Sequence, residues 1–135
     1  MEIEENFAWV FYIGDTSKFQ DGKVGKWMYF FGDRKFIEKI CKECVENEIV
    51  CEAKHSNSTD GVACFYLNID DIEGHKKVIE FFIKNNMIKK TKSGRFYNIS
   101  FKLDSQTLNG EYGNDFIPEI KLDKFIDLDT GKWKI

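Results

Sequence analysis

The sequence predicts an α+β fold, a mainly antiparallel sheet with two helices packed on one face and the opposite face open. Three observations predict it. Residues 34–47 and 72–87 repeat apolar positions at helical spacing. Five other stretches have strand length and are rich in aromatic and β-branched residues. The resulting order, strand, strand, helix, strand, strand, helix, strand, tail, has hairpin-length links and no glycine pattern of a Rossmann or P-loop unit.

The first strand is expected at residues 7–13, FAWVFYI, after an acidic and polar stretch at 1–6 that reads as a frayed start. Glycines and polar residues from Gly14 to Gly25 mark a loop too long for a tight hairpin. The second strand follows at 26–31, with Trp27, Tyr29 and Phe31 on one face and Lys26, Met28 and Phe30 on the other. Asp33 suits an N-cap for the helix at 34–47, whose stripe of Phe36, Ile37, Ile40, Cys41, Cys44 and Val45 suits a sheet-covering role. A third strand at 49–54 and a fourth at 62–69 flank the polar turn at 55–61 as a hairpin. Asp70 or Asp71 caps the second helix, although Gly74 weakens its first turn. The basic run Lys89-Lys90-Thr91-Lys92 leads to the fifth strand, in which Tyr97, Ile99, Phe101 and Leu103 form the core face and Ser100, Lys102 and Asp104 the other. After a polar loop with a hairpin signal at Asn109-Gly110, residues 117–135 form a short strand or helical turn that closes the sheet.

Composition bounds the class. The 135 residues fit a single domain, 1–135, able to bury roughly two-thirds of its unfolded surface. With 42% hydrophobic residues, 13 Phe and one Pro, the chain has material for a core and little for a disordered linker. A net charge of −3 and a pI near 5.5 disfavour extended nucleic-acid binding and leave room only for a local basic contact. No long apolar run or leader pattern is visible, so a cytoplasmic, membrane-free location is expected. The Cys41-x-x-Cys44 spacing falls in mid-helix and extends the apolar stripe, so these thiols read as small buried hydrophobes; no metal and no cofactor is expected.

Candidate site residues gather on the face away from the helices. Lys26, Lys54 and Lys102 enter it from strands two, three and five, and three ammonium groups on one surface suit an anion, since Lys binds phosphate as a point charge. They are expected within roughly 10 Å of one another, a separation at which their repulsion calls for compensation. Asp104 on the same face is the intramolecular candidate, and Thr107 and Tyr112 on the following loop would orient a ligand. Trp9 and Trp27 read as core, and His55 and His75 as surface residues.

In order along the chain, Gly25-Lys26-Trp27-Met28, Ala53-Lys54-His55-Ser56, Cys64-Phe65-Tyr66 with Asp70-Asp71, Phe101-Lys102-Leu103-Asp104, Thr107 and Gly110-Glu111-Tyr112 resemble the blocks of the basophilic leukaemia expressed protein family. The resemblance covers roughly residues 24–113 in short blocks. It implies a curved antiparallel sheet backed by helices, like that of the cap-binding translation initiation factor, and says little of activity beyond a phosphothreonine-lyase label carried by some members. Phe101 stands where the family tends to have Tyr, which removes a phenol from the site.

Three functions follow as expectations, and the sequence names no catalytic residue. The first is a binding module for a phosphorylated small molecule, nucleotide or phosphopeptide. The second is a phosphothreonine lyase with Lys54 or Lys102 as base and His55 as acid, a pairing that strand alternation opposes. The third is an interaction or inhibitor protein of bacterial or phage origin that binds a protein partner without ligand chemistry.

Overall fold

Local chemistry sets the ends of both helices in the computed structural model, which describes residues 1–104 and 120–135. α1 (Arg34–Glu46) begins where the Asp33 carboxylate accepts the Phe36 N–H at 3.3 Å. α2 (Ile72–Lys84) begins where Asp71 accepts the Gly74 N–H at 3.0 Å. Each cap satisfies an amide that the first helical turn leaves without an internal partner. Gly74 costs propensity, and it leaves room for the Asp71 carboxylate, which a β-carbon there would displace from its present position. Both helices end in Schellman motifs. Ile49 N–H donates to the Cys44 carbonyl and Glu48 N–H to that of Val45, while Met87 and Asn86 repeat the pattern onto Phe82 and Ile83. Glu48 and Asn86 consequently sit at φ 58° and 56°, in the left-handed region.

Among the described residues seven strands form one open antiparallel sheet: β1 (Glu2–Glu5), β2 (Trp9–Ile13), β3 (Val24–Phe31), β4 (Glu52–Ser56), β5 (Gly61–Asn68), β6 (Ser100–Leu103) and β7 (Ile120–Lys121). They lie in the order β1-β2-β4-β5-β3-β6-β7. The expected α+β class and hairpin of the third and fourth strands hold. Both helices cover one face: the Phe36 ring of α1 meets Tyr29 of β3 at 6.3 Å, and the Phe82 ring of α2 meets Phe65 of β5 at 5.1 Å. Between sheet and helices lies the core, completed by Leu122, Phe125, Ile126 and Leu128 from the C-terminal segment. Gly25 lets β3 and β6 approach, since a β-carbon there would stand 2.5 Å from the Phe101 ring.

The differences from expectation have physical causes. The acidic start is a strand, not a frayed end: the Asn6 side chain accepts the Ala8 and Trp9 N–H groups at 2.8 Å and turns β1 back along β2. All four β1 residues are exposed, so no apolar alternation announces it. β4 starts at Glu52 rather than at residue 49, because Ile49 and Val50 are spent on closing α1. β6 covers only Ser100–Leu103; upstream, Phe96 and Tyr97 bond instead to Leu128 and Lys89. The face opposite the helices is not bare either, for Lys26, Cys64, Tyr66 and Lys102 on it are buried.

Candidate functional site

Antiparallel register orders the face away from the helices into rows. Phe11, Lys54, Cys64 and Met28 lie side by side across β2, β4, β5 and β3, and Glu52, Tyr66, Lys26 and Lys102 form the next row across β4, β5, β3 and β6. Lys26, Lys54 and Lys102 therefore share one face. Lys26 and Lys102 are direct cross-strand partners. Lys54 stands two strands and one register step from Lys26, a backbone separation of roughly 12 Å from ordinary strand spacing. The Lys26 ammonium donates to Asp104 Oδ1 at 2.8 Å, so the expected compensating carboxylate is in place. Thr107 and Tyr112 lie outside the described residues.

Lys54 is held differently. Its ammonium stands 3.9 Å from the Trp9 ring centroid, with Phe11 at 5.8 Å and Tyr66 at 5.9 Å, an arrangement in which three ring faces attract one cation. Trp9 is thus half-buried on the open face and not a core residue, whereas Trp27 is fully buried as expected. A cleft of about 470 Å³ opens beside this cluster, between the β2–β3 loop and the sheet, lined among others by Phe11, Phe19, Asp21, Glu52, Lys54, Tyr66 and Asp104. The loop is tied down by Asn68, whose side chain accepts the Gln20 N–H at 3.0 Å and donates to the Lys18 carbonyl at 2.8 Å.

The electrostatics of the face are mixed. Burial holds the Glu52 carboxyl above its ordinary value against the pull of Lys54, and Asp104 adds to the rise. Burial likewise pushes the Tyr66 phenol and the Cys64 thiol up, the latter although Lys54 and Lys26 draw it down. Neither is therefore an activated nucleophile or base. Of the ionisable groups that line the 470 Å³ cleft, Lys54 is the cation and Asp21, Glu52 and Asp104 are the carboxylates. A larger cleft of about 1000 Å³ at the end of the sheet is also acidic, lined by Glu2, Asp15, Glu46, Glu48, Asp71 and Glu73 together with Lys18 and Lys77, and it lacks the aromatic walls of the smaller one.

Both histidines are fully buried on the helix side, contrary to the expected surface positions. His55 Nε2 meets the Tyr12 hydroxyl at 3.1 Å and Nδ1 donates to the Ser56 carbonyl at 2.9 Å. The Trp27 indole N–H donates to His75 Nδ1 at 3.0 Å. Because His55 and Lys54 point to opposite faces, the pair cannot serve one substrate as acid and base. Trp9, Phe11, Glu52 and Tyr66 were not named as site residues from the sequence; the signal was the alternation of β4 and β5, which puts Glu52 and Tyr66 in step with Lys26.

Among the described residues no group of His, Cys, Asp and Glu could hold a metal ion, and no helix is long and apolar enough to cross a membrane. No family profile matches the chain, and no match emerges from comparison with curated proteins or with solved structures.

Proposed function

We propose that the protein is a binding module that holds a phosphorylated ligand with a planar group, such as a nucleotide, in the cleft on its open face. The observation that carries this reading is that Lys26, Lys54 and Lys102 share one face, on which Lys54 lines a 470 Å³ cleft with aromatic walls. Its volume falls within the range of small-molecule sites, roughly 300–1,000 Å³. Phe11, Phe19 and Tyr66 offer ring surfaces for a planar group. Lys54 offers charge for a phosphate at the cleft, and Glu52 and Asp104 offer acceptors for the ligand's hydroxyl or amino groups. The raised thiol and phenol favour binding over group transfer.

Thermal-shift screening with nucleotides and phosphopeptides tests the reading. A ligand at about 100 times its Kd adds about 2.7 kcal/mol, which raises Tm by roughly 8 °C for a domain of this size. Lys54→Ala and Lys102→Ala should abolish the shift. If no phosphorylated compound stabilises the protein, or if both variants shift as the wild type does, the site is not a phosphate site. In that case a single stoichiometric protein partner that still binds both variants would support the interaction-protein reading. Loss of phosphoric acid from a phosphothreonine peptide, read by mass, would support the lyase instead.

A further inference from the structure

The small net charge of the chain hides a strong separation. Residues 1–75 carry 15 acidic and 8 basic side chains, whereas the described residues from 76 onward carry 12 basic and 5 acidic ones. Seven of these twelve basic residues, Lys76, Lys89, Lys90, Lys92, Arg95, Lys132 and Lys134, belong to one region. Residues 89–97 double back on themselves through the Thr91 N–H to Arg95 carbonyl bond at 2.7 Å, the Tyr97 N–H to Lys89 carbonyl bond at 2.9 Å and a bridge between Lys90 and Phe96. This loop is fastened to the C-terminal segment by the Phe96 N–H to Leu128 carbonyl bond at 2.9 Å. The segment is itself closed by a bridge between Ile126 and Trp133. Lys89, Lys90, Lys92, Arg95, Lys132 and Lys134 are all exposed on this assembly.

Aromatic rings are interleaved with the charges. Tyr97 is 51% and Trp133 42% exposed. The Lys90 ammonium stands 4.9 Å from the Phe96 ring, and that of Lys76 on α2 stands 5.9 Å from Trp133. The acidic residues nearby are largely occupied: Asp127 accepts the N–H groups of Asp129 and Thr130, and Asp129 lies 3.7 Å from Arg95. Exposed rings between flexible cations are the equipment of a surface for single strands, where bases stack and phosphates are neutralised. A duplex offers no free base faces to such rings. An anionic lipid surface would favour a continuous apolar face on one helix, which this looped surface does not present.

We infer that the surface built from residues 89–97, the C-terminal segment and Lys76 binds single-stranded nucleic acid without strong sequence preference, separately from the cleft on the open sheet face. The acidic half of the molecule confines the contact to a short stretch, consistent with a site of about 4–8 nucleotides.

Fluorescence anisotropy with labelled thymidine and uridine oligonucleotides of about 15 residues tests it, against a duplex of equal length and vesicles of phosphatidylcholine with about a quarter phosphatidylserine. Binding of the single strands is expected to weaken with salt, with a slope of about −3 in log K against log concentration for about four phosphate contacts. Lys89→Glu, Lys90→Glu and Lys92→Glu together should weaken it more than tenfold, and the corresponding triple Gln variant should reduce the slope by about 2. Tyr97→Ala should weaken binding by about 5- to 100-fold through lost stacking, while Lys54→Ala should leave it unchanged. The inference is overturned by absence of single-strand binding at low salt, by preference for duplex or vesicles, or by binding that Lys54→Ala abolishes and the triple variants keep.

Discussion

Acid should weaken this fold through His75, and its hydrogen bonds fix the sign. Trp27 donates to Nδ1 and Nε2 meets the Ile69 carbonyl at 2.8 Å, so the ring carries its single proton on Nε2. A second proton would have to sit on Nδ1, facing an indole N–H that cannot accept it. Burial lowers the His75 pKa below the ordinary 6.5, more than the Ile69 carbonyl and Asp71 raise it, and Lys124 lowers it further. Below that value the unfolded chain takes up a proton that the folded ring refuses, so stability falls as pH drops. Between pH 7.5 and 5.5 the loss is about 1.4 kcal/mol for a ring that stays neutral in the fold. His55, lowered by burial against its bond to Ser56, adds a loss of the same sign. Glu52, raised by burial, opposes both at the acid end. Urea unfolding followed by far-UV circular dichroism across this range measures the loss. His75→Gln, whose amide can accept from Trp27 and donate to Ile69, should show a smaller loss by about one proton's worth. A wild-type stability flat with pH, or a slope that His75→Gln leaves untouched, would refute the reasoning.

Other substitutions have equally definite outcomes. Gly25→Ala should cost about 1–3 kcal/mol by overpacking against Phe101, read as a lower urea midpoint, with part of the loss recovered when Phe101→Leu is added. Glu48→Gly should raise stability by about 0.5–1 kcal/mol, since glycine relieves the left-handed strain at φ 58° without disturbing the α1 cap; a drop in midpoint would contradict this. Of the four thiols only Cys51 is half-buried, so a disulfide reagent at mildly alkaline pH should titrate one group slowly in the folded protein and all four in urea. Two or more fast thiols in the folded state would count against the burial that pushes Cys41, Cys44 and Cys64 up.

How legible each part was depended on whether its cause was local. The helices, their caps at Asp33 and Asp71 and the alternation of β3, β4 and β6 are encoded in adjacent residues, and that alternation, combined with the antiparallel register, brings the three lysines to one face. β1 was not legible because an edge strand with both faces in water needs no apolar pattern, only a neighbour to bond. The histidines misled for a related reason. Their burial depends on partners elsewhere, Tyr12 for His55 and Trp27 for His75, and a polar neighbourhood in sequence says nothing about such partners. Trp9 lies in an apolar run, yet its ring serves a cation, because β2 is half-covered and its odd-numbered positions face outward.

The position of β3 between β5 and β6 has a consequence for synthesis rather than for the finished molecule. Val24–Phe31 bears four aromatic residues, and it pairs with residues 61–68 along one edge and 101–103 along the other. While the ribosome adds the second half of the chain, this strand waits with an unpaired edge for on the order of 4–14 s at ordinary elongation rates. An aromatic strand with a free edge is a template for strands of other chains. The hazard of misassembly is therefore greatest in the nascent chain, and it is set by the order in which the strands enter the sheet.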